Sequence, residues 1–262
     1  MRGRQHTMTS TNHTPRTLVI QSASPRQLRS WMHRCLESTH AWAQKQGYEY
    51  RFVGDEIFER VPRWYRDKVG ARLPVATDYG RLVLIQEALR EGFHEVLWFD
   101  ADTLVFDSSL RIRFDGTCAF GQEIWVQASN DGFTAHRNVH NAFVAFRQNC
   151  VVLPFLMQTM ESLIRRVDST HIAPQFVGPK LLTALHSLCD FPLVPEVGAL
   201  SPAVVSDIVA GKGPALDLMR RKSDVKPKAV NLCASLIDPQ HADKVIAVLT
   251  GTPSEQDKKA GS

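Results

Sequence analysis

Two carboxylates flank one small residue, Asp100 and Asp102 around Ala101, where the apolar run Glu95-Val-Leu-Trp-Phe99 opens into a more polar stretch. Oxygen ligands at that spacing can converge on one hard divalent cation, Mn2+ or Mg2+. A cation there would offset the charge on a pyrophosphate leaving group and polarise it for departure. The competing reading is a strand end with an aspartate-capped turn, a common use of aspartate. Position in the fold favours the chemistry, because in mostly parallel sheets ligands gather beyond the carboxyl ends of the strands.

The elements that must hold this pair follow from the hydrophobic pattern. Thr17-Leu-Val-Ile-Gln-Ser-Ala23 is short, β-branched and followed by Ser24-Pro25, which predicts a buried first strand and then a helix over about Pro25–Gln46, stopped by Gly47. A second strand is expected over Tyr48–Val53 and an irregular segment over Gly54–Leu73. Tyr79, Leu82, Ile85 and Leu89 recur at helical spacing, predicting a helix from Thr77, as N-cap, to Arg90, before Gly92. The unbroken apolar run Glu95–Phe99 then reads as a strand covered on both faces. Further strands are expected at Cys118–Phe120, Trp125–Ala128 and Ala142–Phe146, and helices at about Val151–Val167 and Pro179–Leu188. Phe191–Pro227, with its many prolines, reads as loop-rich, and no internal repeat is visible. The alternation of strand and helix predicts an α/β, Rossmann-like domain with a mostly parallel central sheet flanked by helices.

Asp78 and Arg81 stand three apart, so they share one helical face, and that face points toward the strand ends. A role in binding and a simple intrahelical ion pair, worth roughly a few tenths of a kcal/mol, account for them equally well.

Thr77-Asp-Tyr-Gly-Arg-Leu82 together with Val96-Leu-Trp-Phe-Asp-Ala-Asp-Thr-Leu-Val105 resembles the core of GT-A glycosyltransferases that bind nucleotide-sugars through a DxD motif. The resemblance extends over about residues 17–235 and is specific between Asp78 and Val105. It implies contacts from Asp78 and Arg81 to the nucleotide-sugar, from Asp100 to ribose and metal, and from Asp102 to metal. It also implies that Gln21, Ser22 and Ala23 cradle the nucleotide base, with Ala101 lining the donor site. Asn141, opening Asn141-Ala-Phe-Val-Ala-Phe-Arg147, resembles an asparagine facing the donor sugar, and Gln175-Phe-Val-Gly178-Pro179 resembles a Gly-Pro segment on the acceptor side. Where many of these enzymes carry a late metal-ligating histidine, this chain has Asn231, whose carbonyl can ligate a hard cation but adds no charge. The implied partners are a nucleotide-sugar donor, most simply a UDP-sugar, and a glycan or other hydroxyl acceptor.

Composition bounds these expectations. The 262 residues suit one α/β domain, expected over 17–249 between a disordered leader at 1–16 and a flexible tail at 250–262. With 44% hydrophobic and 22% charged residues the chain is of ordinary globular type. A net charge of +4 is too mild and dispersed to point to nucleic acid. Five widely spaced cysteines without a CxxC pair favour reduced thiols and a cytoplasmic location. No apolar run is long enough for a membrane span, so any membrane association is expected to be peripheral.

Other candidates have bland alternatives. His136 and His140 are four apart but lie in a segment that opens on a turn signal, so a solvated loop is expected. Asp131 in the same segment is a candidate general base for an inverting transfer, or an ordinary turn aspartate. The basic run Lys212, Arg220, Arg221, Lys222, Lys226 and Lys228 could form a lid over a diphosphate, or a solvated face. Phe99-Asp-Ala-Asp-Thr-Leu-Val105 also matches the first motif of haloacid-dehalogenase-type phosphohydrolases, though about 80 residues of α/β pattern precede it. A non-catalytic sugar-nucleotide binding protein is the third alternative, for which Asn231 speaks.

Overall fold

The computed structural model describes residues 15–173 and 175–252; the leader and tail predicted from sequence lie largely outside them. The chain opens with strand β1 (Thr17–Ser22), helix α1 (Ser30–Gln46) and strand β2 (Glu49–Val53). A 3-10 turn (Asp55–Arg60) and helix α2 (Arg63–Val69) lead into α3 (Leu73–Arg90), β3 (Glu95–Phe99) and β4 (Thr103–Val105). A long hairpin follows, β5 (Cys118–Ser129) and β6 (Gly132–Arg147), then α4 (Val152–Arg166) and α5 (Pro179–Cys189). The chain continues through β7 (Leu193–Val194), β8 (Val197–Ala199), α6 (Pro202–Val209), α7 (Pro214–Lys222), β9 (Ala229–Asn231) and α8 (Pro239–Thr250).

The main sheet has the order β2-β1-β3-β6-β5-β7, and only β6 runs against the rest. This is the mostly parallel α/β architecture expected from the sequence. Side chains alternate across it as the pleat requires. Leu18, Ile20, Val96, Trp98, Val144 and Phe146 enter one core with α2, α3 and α4. Val19, Leu97, Phe99, Phe143 and Ala145 enter another with Trp42 and Ala43 of α1. Both faces of β3 are therefore covered, which is why all five of its residues are buried. Each fully buried Leu or Phe there contributes about 1.5–3 kcal/mol relative to exposure. A third core joins Trp31, Met32 and Cys35 of α1 to α6, α7 and α8. No helix is long and apolar enough to cross a membrane among the described residues.

Several boundaries differ from the sequence expectation. Pro25–Gln27 form a turn closed by Gln27 N–H and Leu28 N–H on the Ser24 carbonyl, so α1 begins only at Ser30. Helix α3 begins at Leu73 with Pro74 in its first turn, which leaves Thr77 inside the helix and not at its cap. The two strands expected at 118–120 and 125–128 are one strand bent by a bulge at Phe120/Gly121. The loop expected around His136 and His140 is strand β6, paired with β5 from a tight turn at Asn130-Asp131. The segment 191–227 contains two helices and two short strands, because Pro202 and Pro214 occupy the first helical turn, where a missing N–H costs nothing.

A candidate two-chambered site at the strand ends

The site is assembled where β3 ends. Its antiparallel pairing with β6 sets Phe99 opposite Phe143, and Asp100 N–H donates to the Ala142 carbonyl at 2.8 Å. This brings Asn141 beside the aspartate pair. A tight turn follows, closed by Thr103 N–H on the Asp100 carbonyl at 3.0 Å, and β4 then pairs with β9 so that Thr103 faces Asn231.

Each carboxylate is oriented by a different set of donors. Asp100 Oδ1 accepts from Trp98 Nε1 at 2.7 Å and lies 3.2 Å from the Arg81 guanidinium. Asp102 Oδ1 accepts from Asn231 Nδ2 at 2.6 Å, and Oδ2 accepts from Ala234 N–H at 2.7 Å. Burial pushes the Asp102 carboxyl above its ordinary range, as does the charge on Asp100, while its hydrogen bonds pull the other way.

Arg81 is the hub on the other side. It is buried, lies 3.2 Å from Asp78 one helical turn away, donates to the Asn141 carbonyl, and sits 5.2 Å from the Trp98 ring centroid. Asp78 Oδ1 in turn accepts from Asn141 Nδ2 at 2.7 Å. Burial raises the Asp78 pKa to about 6 against the pull of Arg81. Gly178 seals this network, because a Cβ there would stand 2.6 Å from Asp78 Oδ2 and 2.9 Å from Asn141 Nδ2.

Two cavities meet at the aspartates. One, of about 720 Å³, is lined by the end of β1 (Ser22, Ala23), by Met32, Ile57 and Phe58, and by Thr77, Asp78 and Arg81 of α3. The other, of about 830 Å³, is lined by Glu123, Trp125, Asn138 and His140 of the hairpin and by Lys180 and Thr183 of α5. Asp100, Asp102, Asn141, Gln175 and Pro179 line both. Each volume is within the range that holds a small-molecule ligand.

Against the sequence expectations, Ser22, Ala23, Asp78, Arg81, Ala101, Asn141, Gln175 and Pro179 all come to this cleft. Gln21 does not: it is fully buried, donating to the Asp100 carbonyl at 3.2 Å and accepting from Tyr50 Oη at 3.0 Å, so it braces the strand ends and cannot touch a base. Asp131 is exposed at the hairpin tip, ten residues along β6 from Asn141, roughly 30 Å at strand spacing, so it cannot serve as a base at the aspartates. Asn231 donates its amide N–H to Asp102 and accepts Cys233 N–H on its Oδ1 at 2.9 Å, an arrangement that orients Asp102. Sequence reasoning missed Glu123, Trp125 and Asn138. Their signal is the two-residue alternation of a strand with one polar face, visible only once the hairpin register is known.

The donor set suits a hard cation in part. Two carboxylates, Asp100 and Asp102, line the cleft, and among the described residues there is no group of three or more His, Cys, Asp or Glu that could hold a metal. Magnesium-type ions are commonly held by one or two carboxylates with substrate phosphates completing the shell, and Asp100 and Asp102 can supply that much.

No protein-family model matches the chain, and no curated protein is similar to it in sequence. Among solved structures it is similar to a glycosyltransferase involved in the glycosylation of the major capsid of PBCV-1, with 11% identity, 88% of this chain and 98% of that one covered, and a TM-score of 0.48. The PaToxG glycosyltransferase is similar at 10% identity over 90% and 87% of the two chains, with a TM-score of 0.39. A197 from STIV is similar at 10% identity over 66% and 78%, with a TM-score of 0.27.

Proposed function

We propose that the chain is a metal-dependent glycosyltransferase of the GT-A type, moving a hexose from a nucleotide diphosphate sugar, most simply a UDP-sugar, to a hydroxyl on a glycan acceptor. The observation that carries this reading is the meeting of two ligand-sized cavities at Asp100 and Asp102. A group transfer needs two substrates whose reacting ends touch at one charged centre, and two chambers that meet at the aspartates suit that requirement.

In this reading the nucleotide occupies the chamber between the end of β1 and α3. The sugar points past Asn141 into the hairpin chamber, where the acceptor hydroxyl arrives. Asp100 and Asp102 would hold Mn2+ or Mg2+, which supplies charge stabilisation for the departing diphosphate. Arg81 fixes Asp100 and, through the Asn141 carbonyl, the middle of β6. Asn231 and Ala234 N–H fix Asp102. Arg81 and Asp78 are buried, and the groups on all sides are held in place by the fold before any ligand arrives, as electrostatic stabilisation requires.

The test is thermal stability with Mn2+ and a panel of UDP-, GDP- and other nucleotide-sugars. A donor at 100 times its Kd adds about 2.7 kcal/mol, which raises Tm by about 5–10 °C for a chain of this size. The shift should require Mn2+ and disappear in Asp102→Asn. No shift with any donor, or an equal shift in Asp102→Asn, overturns the proposal.

A further inference from the structure

The β5–β6 hairpin carries more than the two residues nearest the aspartates. Its register pairs Gly121 with His140, Glu123 with Asn138, Trp125 with His136 and Gln127 with Thr134. Strand alternation places these four rungs on one face, and their side chains touch along it. Asn138 Nδ2 donates to Glu123 Oε1 at 3.1 Å, and His136 Nε2 lies 3.4 Å from Gln127 Nε2 and 3.5 Å from Thr134 Oγ1. The opposite face carries Ile124 and Val126, which are buried in the third core. One side of the ribbon is thus anchored and the other presents a row of hydrogen-bonding groups around an indole.

The inner rung holds a neutral ring that closes the end of the row. His140 Nε2 lies 2.9 Å from the Val197 carbonyl, which assigns the ring proton to Nε2, and burial lowers its pKa, keeping the ring neutral. Its Nδ1 is buried with no partner among the described residues. The ring can take this place only because residue 121 is glycine: a Cβ there would lie 2.2 Å from the ring. Glu123, Trp125, Asn138 and His140 line the larger cavity, whereas Gln127, Thr134 and His136 are exposed beyond it. From His140 to Thr134 the row runs about 20 Å at strand spacing, well beyond one sugar ring.

We infer that this face is an acceptor track for an oligosaccharide of several sugar units, its reacting end at Asp100 and Asp102 and its body along the hairpin; this rests on the glycosyl-transfer reading. The chemistry selects the class. Sugars present hydroxyls that both donate and accept, matching Glu123, Asn138, Gln127 and Thr134, and their C–H faces stack on an indole such as Trp125, an amphipathic ring with a large apolar face. A lipid tail would meet polar groups along the whole row, and a polyanion would meet the Glu123 carboxylate.

The experiment uses the full chain without donor or metal. A printed array of mono-, di-, tri- and tetrasaccharides identifies the best-bound glycan, and calorimetry then follows a series shortened from its far end. Affinity should rise at least tenfold from the monosaccharide to the longest member. Trp125→Ala and His136→Ala should each remove most of that gain; the exposed His136 side chain keeps a readout should Trp125→Ala fold poorly. Failure of every array glycan to bind, affinity flat with length, or a gain retained in both variants overturns the track. Nucleotide-sugar shifts on the unmodified chain separate the two ideas: a Mn2+-dependent shift without length dependence removes the track and leaves the transfer reading standing.

Discussion

The Asp78→Asn substitution tests how the fold treats the carboxylate at the centre of its network. An ordinary aspartate titrates near 3.8 and Asp78 near 6, because burial outweighs the favourable contacts from Arg81 and Asn141, with Asp100 adding repulsion. Tyr65 also faces it. The gap of about two pH units corresponds to about 3 kcal/mol. The folded chain holds this proton more tightly than the unfolded chain does. Native stability therefore falls as pH rises from about 4 to about 6, and the full loss is present above the folded pKa. Asparagine matches the protonated shape, accepts the Asn141 amide and has no charge to bury. Relative to the unmodified chain, Asp78→Asn should be nearly equal in stability at pH 4 and more stable by about 3 kcal/mol at pH 7. Urea denaturation at several pH values without divalent metal measures this, read as the difference between the two proteins so that other titrations cancel. A difference that does not change between pH 4 and pH 7, or a variant less stable at pH 7, refutes the reasoning.

Two glycines give sharper steric tests. Gly178→Ala places a methyl group 2.6 Å from Asp78 Oδ2, and because Asp78 is held by Arg81 and Asn141 it cannot swing away; a loss of about 1–3 kcal/mol in denaturant unfolding is expected, together with weakened nucleotide-sugar shifts. Gly121→Ala drives a methyl group into the His140 ring and should cost at least as much, displacing the ring from the Val197 carbonyl; an unchanged His140 imidazole signal by NMR would contradict this.

The sequence by itself determined the class of fold and the place of the aspartate pair. Apolar runs such as Glu95–Phe99 and the helical spacing of Tyr79, Leu82 and Ile85 are local signals that burial on a sheet or helix face writes directly into the residue order. The pair at Asp78 and Arg81 was legible for the same reason, since one helical turn fixes which residues share a face. What tertiary structure decided was the set of partners. Nothing local could show that Asn231, 129 positions away from Asp102, would meet it through the β4–β9 pairing and present its N–H. Gln21 had the right place in the chain for a ligand contact, yet the approach of β2 and β3 turned it inward. The second chamber was invisible for a related reason: a polar residue at every second position reads as an ordinary solvated strand until the hairpin register and the helix α5 opposite it make that face a wall. Long-range pairing depends on which strands close upon which, and that is a property of the whole packed chain.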